Sequence, residues 1–286
     1  MISGLITKGV GGEYTVNTAN GVYICTARGV FRNRQITPFV GDRVQIDPAK
    51  KSVEIIEPRK NVLKRPPVAN IDQVIVTMAA ASPAFHGGLL DRFLVLAGYE
   101  GVDAVICINK YDLHNREDFT VPYVLAGYPV IKVSAATGAG MDDLLAIMGG
   151  QSNASDTLSD PILNVFAGPS GVGKSSLINM LIPEAAMETG DISVKLKRGK
   201  HTTRHAEIHS LGAGFCVDTP GFSSLEVDAI PTQAFSGLFP EFAAFVGECK
   251  FSDCLHDKER DCAVKKQVGK GVHPSRYESY LGFVRR

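Results

Sequence analysis

The sequence has no long apolar run, no leader-like N-terminus and no excess of charge of either sign. None of its 286 residues lies in a stretch that approaches the roughly 20 apolar residues of a membrane-spanning helix. Residues 1–8 lack the basic and then apolar layout of a secretory signal. We therefore expect a cytoplasmic protein without a membrane partner. The hydrophobic content of 44% is enough for a sizeable core and more than one domain.

Cysteine is also scarce, with six residues in the chain. Cys25, Cys107 and Cys216 each lie in an apolar, strand-like run, where a reduced and buried thiol is expected. The other three lie close together near the C-terminus. This distribution argues against a disulfide framework.

The net charge of zero hides an uneven distribution of charge along the chain. Residues 1–68 contain 11 Lys/Arg against 5 Asp/Glu, residues 69–248 contain 10 against 20, and residues 249–286 contain 9 against 5. Basic flanks around an acidic middle suggest that the ends of the chain meet a polyanion. The alternative is that the imbalance only aids solubility.

Residues 1–68 predict a small β-barrel domain. The strand-like runs are Tyr14–Val16, Val22–Ala27, Arg43–Ile46 and Ser52–Ile56. Turn signals such as Asn20-Gly21 separate them. Four or five short strands in about 65 residues are typical of a barrel, and the basic charge favours the OB type. A structural β domain that binds nothing is the alternative, and Lys60–Pro67 is interpreted as the exit linker.

Residues 69–228 alternate strands with helices. The predicted strands are Gln73–Met78, Ala104–Asn109, Val130–Ser134, Ile162–Ala167 and Gly214–Asp218, and the predicted helices are Leu89–Tyr99, Met141–Met148 and one beginning at Lys174. This alternation predicts an α/β domain with a mostly parallel sheet and helices on both faces. Ligands of such sheets gather at the carboxyl ends of the strands.

The most specific motif follows the fourth of these strands and opens a helix. It consists of Gly168, Pro169, Ser170, Gly171, Val172, Gly173, Lys174 and Ser175, with Ser176 next to it. This is a complete phosphate-loop pattern. Its backbone N–H groups and the helix N-terminus would face the phosphates of a nucleotide. Lys174 would reach the β- and γ-phosphates, and the Ser175 hydroxyl would ligate Mg²⁺.

Two further motifs indicate which base is bound. Asn109-Lys110-Tyr111-Asp112 resembles the guanine-specificity motif Asn-Lys-x-Asp. The Asp112 carboxylate can accept from guanine N1–H and from the exocyclic amine, a donor pair that adenine lacks. Asn109 would hold N7 and tie loops together, while the Lys110 stem would cover the ring. Ser134-Ala135 follows the next strand, where the Ala135 N–H would meet guanine O6.

The remaining elements of a GTP site lie towards the C-terminus. Asp218-Thr219-Pro220-Gly221 follows an apolar strand, so that Asp218 would orient Mg²⁺ and the Gly221 N–H would sense the γ-phosphate. The polar, basic residues 190–205 suit a first switch loop. One of its threonines, Thr202 or Thr203, would complete the Mg²⁺ shell, and the sequence does not decide between them. Because Asp112 selects guanine, an ATPase is the weaker alternative.

The order of these motifs is unusual. Ordinary Ras-like GTPases carry the phosphate loop first and the base-reading motifs last, whereas here the base-reading motifs come first. The same site can form if the old termini are joined and a new cut opens after Asp218–Gly221. The polar residues 151–160 would be that join.

Residues 229–286 contain a cluster of metal-ligand type, Cys249, Cys254, His256 and Cys262. Three thiolates and one imidazole suit one tetrahedral Zn²⁺ per chain in a closed, structural site. Phe235–Val246 and Ala263–Arg286 are predicted to be helical, so the metal would stabilise a small helical domain. The second segment interleaves basic residues with Tyr277, Tyr280 and Phe283, which suits RNA contact or a helix packed through its aromatic residues.

With these features the chain resembles, along nearly its whole length, the circularly permuted bacterial GTPases called ribosome small-subunit-dependent GTPase A. The resemblance rests on the β-barrel, the motif order, Gly199–Thr203, the Cys-Cys-His-Cys spacing and Arg276–Tyr280. It implies an α/β P-loop GTPase domain flanked by an OB-type barrel and a zinc-binding helical domain. It also implies GTP hydrolysis stimulated by the small ribosomal subunit and a late role in the maturation of that subunit. We expect a monomer whose partners are GTP or GDP, the subunit and its rRNA.

The catalytic group is the least constrained part of this hypothesis. Phe222 stands where Ras-like enzymes place the glutamine that orients the attacking water. Phe222 cannot hydrogen-bond, so His201 is the candidate, because neutral imidazole can orient a water or accept its proton. The alternatives are that His201 contacts ribosomal phosphate or solvent, with Arg204 or the ribosome supplying the group. A different class of function, an RNA-binding module that senses GTP or GDP, also remains open.

Overall fold

The computed structural model describes residues 1–33, 36–64, 67–114, 118–149, 162–183, 206–212, 214–218 and 227–286. Within these ranges, no helix has the length and apolar character that crossing a membrane requires. The chain builds a β-barrel first, then a sheet with helices, and last a C-terminal region of short helices.

Five strands form the barrel. They are β1 (Ile2–Val10), β2 (Glu13–Thr18), β3 (Gly21–Ala27), β4 (Arg43–Asp47) and β5 (Ser52–Ile56), with helix α1 (Gly29–Asn33) after β3. The strand order is β1-β2-β3-β5-β4, and pairing of β4 with β1 closes the barrel. Ile6, Val16 and Val44 point inward and are fully buried. The barrel predicted from the sequence is confirmed, although β1 was not among the predicted strands.

A small hairpin follows the barrel. Strand β6 (Val62–Lys64) pairs in antiparallel fashion with β7 (Pro67–Ala69). The interpretation of Lys60–Pro67 as a plain linker is therefore wrong. The cause is packing, because Val68 is fully buried and bridges to Val40 of the barrel, and the Ala69 N–H donates to the Val40 carbonyl at 2.8 Å.

In the part of the chain that the structure describes, six strands form the central sheet. They are β8 (Gln73–Ala79), β9 (Asp103–Asn109), β10 (Val130–Lys132), β11 (Leu163–Ala167), β12 (Glu207–Leu211) and β13 (Gly214–Asp218). Their order is β10-β9-β8-β11-β13-β12. All neighbours are parallel except β12 and β13, which are antiparallel. The mostly parallel sheet is confirmed, while β12 is an addition that the sequence did not predict.

Helices cover both faces of this sheet. They are α2 (Gly87–Tyr99), α3 (Val121–Leu125), α4 (Met141–Ile147) and α5 (Lys174–Leu181). Successive residues of a strand point to opposite faces. Accordingly, Val74 and Val76 belong to the apolar cluster of α2, whereas Ile75 belongs to the cluster of α4 and α5.

Two amide side chains hold together the segments on either side of residues 150–161. The Asn164 side chain is fully buried, and its Nδ2 donates to the carbonyl oxygens of Met148 at 3.0 Å and Ile162 at 3.2 Å. Gln73 Nε2 donates to Asn164 Oδ1 at 2.8 Å and to the Ile147 carbonyl at 3.2 Å. The end of α4 and the start of β11 are thereby fixed next to each other.

A pair of strands, β1 and β12, joins the barrel to the sheet. Lys8 of β1 is the register partner of Glu207 of β12, and their side chains form an ion pair at 2.7 Å. The two side chains keep 43% and 40% of their surface exposed. The contact makes the barrel and the sheet one continuous set of strands.

The C-terminal region is helical but more broken than predicted. It contains 3₁₀ segments at Val227–Ala229, Thr232–Leu238, Pro240–Phe242 and Val246–Glu248, and the helices α6 (Ala263–Lys266) and α7 (Pro274–Val284). Pro240 and the nearby glycines prevent the continuous helix predicted for Phe235–Val246. Tyr280 is fully buried, and the Phe283 ring stacks on Phe235 with centroids 5.5 Å apart. The aromatic residues of α7 thus serve packing.

Candidate functional site

Three loops meet at the carboxyl edge of the parallel strands around one side chain, Asn109. This residue ends β9 and is 1% exposed. Its Nδ2 donates to the Val172 carbonyl of the phosphate loop at 2.9 Å. Its Oδ1 accepts from the Lys110 N–H at 2.8 Å and from the Ala135 N–H at 3.1 Å. One amide therefore joins the loops that follow β9, β10 and β11.

The phosphate loop connects β11 to α5 and lies tightly against its neighbours. Gly168 has φ 136°, and a Cβ there would come within 2.1 Å of the Thr77 carbonyl oxygen of β8. Gly173 has φ 92°, and a Cβ there would lie 2.4 Å from Asn109 Nδ2. Both positions therefore require glycine, for conformation and for space.

Lys174 and the two serines after it occupy the first turn of α5. The Lys174 ammonium donates to the carbonyl oxygens of Gly168 and Pro169 at 2.7 Å each. Burial lowers the pKa of Lys174 below its usual value. A cation is thus fixed inside the loop where an anion would be bound, with Ser175 and Ser176 half-buried beside it.

The Asn-Lys-x-Asp loop is tied to the phosphate loop a second time through Lys110. Lys110 has a left-handed backbone with φ 58°. Its ammonium donates to the carbonyl oxygens of Gly171, at 2.8 Å, and of Ser82 in the loop after β8. Asp112 lies in the 3₁₀ turn Tyr111–Leu113 with its side chain exposed. Its carboxylate is accessible to a base that approaches this edge.

The Ser-Ala loop is arranged differently from our expectation in one detail. The Ala135 N–H, which we expected to meet guanine O6, donates to Asn109 Oδ1 at 3.1 Å. Ser134 is buried, and its hydroxyl oxygen accepts from the Thr137 N–H at 3.2 Å. The loop therefore closes on Asn109, and contact of Ala135 with a base stays a prediction.

The elements predicted to sense the γ-phosphate are described only in part. Strand β13 pairs with β11 in parallel, with Val217 opposite Val165, so the backbone of Asp218 reaches the same edge as the phosphate loop. The side chain of Asp218 lies outside the described residues. The same holds for the predicted positions His201, Thr202, Thr203 and Gly221.

A second site lies in the C-terminal region, where the four predicted metal ligands converge. The Nδ1 atom of His256 lies 3.5 Å from Cys249 Sγ, 3.4 Å from Cys254 Sγ and 3.3 Å from Cys262 Sγ. All four ligand atoms lie within 4.8 Å of one another. A zinc tetrahedron with Zn–S and Zn–N bonds of ordinary length has edges of roughly 3.5–3.8 Å. The cluster thus has the size and the donor set of a Cys₃His zinc site.

The surroundings of the cluster also suit a metal. His256 Nε2 is buried and has no hydrogen-bond partner among the described residues, while Nδ1 faces the thiols. Burial raises the pKa of the Cys262 thiol, and the Lys265 N–H, which donates to its Sγ at 3.4 Å, partly offsets that shift. Burial raises the pKa of the Cys254 thiol to about 12. In the absence of metal this thiol is protonated, and metal binding would release its proton.

Three contacts at these sites were missed by sequence reasoning. Ser82 faces Lys110 because the loop after β8 lies between the two motif loops. The contact could have been predicted from the position of β8 between β9 and β11 in the sheet. The hydroxyl groups of Tyr277 and Tyr280 donate to the backbone carbonyls of His256 and Leu255 at 2.7 Å each. They join α7 to the metal-ligand loop.

Comparison with known proteins agrees with this arrangement. A family model described as RsgA GTPase matches residues 56–228, and one described as RsgA N-terminal domain matches residues 3–56. The small ribosomal subunit biogenesis GTPase RsgA of Alkaliphilus metalliredigens is 42% identical over 294 residues, covering 99% of this chain and 97% of that protein. Its counterpart from Geobacillus sp. (strain WCH70) is 43% identical, with the same coverage. The chain belongs to the RsgA GTPase family.

Solved structures show the same architecture. YloQ, a circularly permuted GTPase, superposes with a TM-score of 0.81 at 36% identity, covering 100% of this chain and 94% of that one. YjeQ from Thermotoga maritima gives a TM-score of 0.82 at 33% identity, covering 99% and 97%. Membership of the RsgA GTPase family identifies this chain as a GTPase and confirms the permuted α/β fold. The domain limits 1–68, 69–228 and 229–286 stay predictions.

Proposed function

We propose that this chain binds GTP with Mg²⁺ at the carboxyl edge of its sheet and hydrolyses it during maturation of the small ribosomal subunit. The Asn109 side chain carries this proposal, because it holds the base-reading and phosphate-binding loops at one edge. The relatives from Alkaliphilus and Geobacillus are small ribosomal subunit biogenesis GTPases, which supports the ribosomal role. The protein would act as a cytoplasmic monomer whose basic flanks contact rRNA.

Each loop has a distinct task in this mechanism. The phosphate loop wraps the phosphates with backbone N–H groups, and Lys174 provides a cation at the β- and γ-phosphates. Ser175 and Asp218 would hold Mg²⁺, which neutralises charge on the phosphates. Thr202 or Thr203 and Gly221 would complete the site when a γ-phosphate is present. Asp112 reads the guanine edge while Lys110 and Asn109 fix the loops beneath the base.

Replacement of Asp112 by Asn tests the base-reading loop. Asp112→Asn replaces one acceptor of the carboxylate by a donor. GTP should therefore bind more weakly, and xanthosine triphosphate should bind more tightly. A hydrogen bond to a charged group contributes about 1.5–3 kcal/mol, which corresponds to roughly 10- to 150-fold in affinity. Nucleotide competition measures the shift. The matched control is Asp103→Asn, an exposed residue at the opposite end of β9; equal guanine preference in both variants would refute the role of Asp112.

The ribosomal role is tested by measuring GTP hydrolysis with and without purified small subunits. We expect slow turnover by the free protein, since Phe222 cannot orient a water, and faster turnover with the subunit. Sedimentation should show tighter subunit binding with a non-hydrolysable GTP analogue than with GDP, and weaker binding at high salt. Turnover that stays unchanged with subunits would instead favour an RNA-binding module that senses GTP or GDP.

His201 is proposed as the group that positions the water. His201→Ala should keep GTP and subunit binding and lose most of the stimulated rate, because imidazole can accept the proton of the attacking water. If the variant keeps the full stimulated rate, Arg204 or the ribosome supplies the group.

We also propose one structural Zn²⁺ per chain at Cys249, Cys254, His256 and Cys262. The support is that the four ligand atoms lie within 4.8 Å of one another and that Nδ1 of the buried imidazole faces the three thiols. Metal analysis of purified protein should find about one zinc per chain. Protein that is free of zinc yet has an ordered C-terminal region would contradict this assignment.

A further inference from the structure

Arg276 of α7 is a buried cation held by two carboxylates. Its side chain is 1% exposed. Its Nε donates to Glu241 Oε1 at 2.7 Å, and Nη2 donates to Glu241 Oε2 at 3.3 Å. Its Nη1 donates to Asp91 of α2, which lies 185 residues earlier in the chain. The Asp91 and Glu241 side chains are 4% and 2% exposed, so water screens neither pair.

The guanidinium also contacts the segment that connects the two base-reading loops. Its central carbon lies 5.3 Å from the ring centroid of Tyr123 and 5.6 Å from that of Tyr128. Both tyrosines lie between the Asn-Lys-x-Asp loop and the Ser-Ala loop. Their contacts with Arg276 have cation–π geometry, which is strongest where the charge is desolvated.

A continuous series of rings leads from this cluster to the base-reading turn. Tyr123 meets Phe85 edge-on at 6.4 Å, and Phe85 stacks on Phe119 at 4.1 Å. Phe119 meets His114 edge-on at 5.1 Å, and His114 stacks on Tyr111 at 4.7 Å. Tyr111 immediately precedes Asp112. Aromatic pairs in such geometries restrict one another, so the position of Tyr123 constrains the turn that carries Asp112.

A second connection runs through α2. Asp91 lies one turn after the start of this helix, where the Gly87 carbonyl accepts from the Tyr123 hydroxyl at 3.2 Å. The loop before α2 contains Ser82, whose carbonyl accepts from the Lys110 ammonium. Asp91 therefore fixes the helix that holds this loop against the Asn-Lys-x-Asp motif.

We propose that Arg276, a residue of the C-terminal region, is a positioning residue for guanine binding. Its pairing with Asp91 and Glu241 fixes Tyr123, the ring series and α2, and so holds Lys110 and Asp112 in the geometry that binds the base. The inference rests on the proposed base-reading role of Asp112. Without Arg276 this geometry is populated only part of the time, and the apparent affinity falls by that fraction.

The test compares Arg276 of α7 with Arg285, the residue that follows the end of that helix. Arg276→Met removes the buried cation, while the control Arg285→Met removes an exposed one that pairs with Asp257 at 2.5 Å. Release of a fluorescent GDP analogue should be about tenfold faster for Arg276→Met, within the range for residues that couple two sites. It should stay within about twofold of wild type for Arg285→Met, because this arginine is 57% exposed and contacts neither the ring series nor α2 in the described contacts. At saturating GTP, kcat should be retained, so the loss appears in KM.

A second variant guards against simple misfolding. Arg276→Lys keeps the charge but cannot bridge two carboxylates in a planar fork, so it should also release the analogue faster while keeping its fold. Circular dichroism and zinc content are measured on each variant. A folded, zinc-loaded Arg276→Met or Arg276→Lys that releases the analogue at the wild-type rate overturns the inference. Failure of the wild-type protein to bind the analogue would instead refute the proposed nucleotide site.

Discussion

Two very different ion pairs link the central sheet to the barrel and the helix α2 to the C-terminal region. Lys8 and Glu207 join the barrel to β12 with both side chains more than one-third exposed. Arg276 joins the C-terminal region to α2 with both of its carboxylate partners buried. Exposed pairs contribute about 0–1 kcal/mol and are screened by salt, whereas loss of one partner of a buried pair costs about 3–5 kcal/mol. The barrel contact therefore tolerates change in its charged residues, and the C-terminal contact does not.

Among the variants that test the difference between the two contacts, one that removes a metal ligand should have the largest effect. In Cys254→Ser the hydroxyl replaces a thiolate, and zinc affinity should fall more than the roughly 100-fold that loss of an outer-shell partner can cost. Metal analysis should find the zinc lost, and limited proteolysis should cleave within residues 229–286.

The matched control for that variant is Cys25→Ala. Cys25 is a buried free thiol in the barrel, far along the chain from the metal ligands. This variant should keep about one zinc, as expected of a residue that is no ligand. Equal zinc content in Cys254→Ser and Cys25→Ala would contradict the site.

Loss of a buried carboxylate should have the next largest effect. Asp91→Ala leaves the Arg276 charge buried with one partner instead of two, so the free energy of unfolding should fall by about 3 kcal/mol. Urea denaturation measures the change. The control is Asp228→Ala, which removes an exposed partner of Arg286. A difference of less than about 1 kcal/mol between the two variants would show that the buried pair of Arg276 and Asp91 stabilises the fold no more than an exposed pair does.

The smallest effect is expected at the barrel. Lys8→Met removes the exposed pair with Glu207 and should lower the free energy of unfolding by at most about 1 kcal/mol. The wild-type advantage should shrink as salt is raised, because exposed charges are screened. Urea denaturation at low and high ionic strength checks both statements, and a loss as large as that of Asp91→Ala would erase the contrast between the two contacts.

The sequence predicted those parts of the fold whose cause is local. The phosphate loop needs a strand, glycines and a helix start in consecutive residues, and the zinc cluster needs four ligands within a short segment. Strands β1 and β12 escaped prediction because their local signals are weak. Gly4 and Gly9 lower the strand propensity of β1, and β12 has only Ile208 and Leu211 as apolar residues in five positions.

Contacts between distant residues could not be predicted. Arg276 and Asp91 are 185 residues apart, and nothing in the sequence pairs one with the other. The motif predicted that Asn109 ties loops together, but its partner, the Val172 carbonyl, depends on the order of strands in the sheet. The hairpin β6–β7 forms because Val68 packs against the barrel, which outweighs the loop-like composition of its sequence.

The amide cluster of Asn164 and Gln73 bears on how a permuted gene can arise. The side chains of Asn164 in β11 and Gln73 in β8 hydrogen-bond to the end of α4, and Asn164 also hydrogen-bonds to the start of β11. The two segments would stay neighbours whether the peptide between them was continuous or open. A gene rearrangement that fused or split the chain here would leave the buried contacts unchanged. Selection could then act on the new order of segments, in which the chain leads from β13 directly into the metal-binding region.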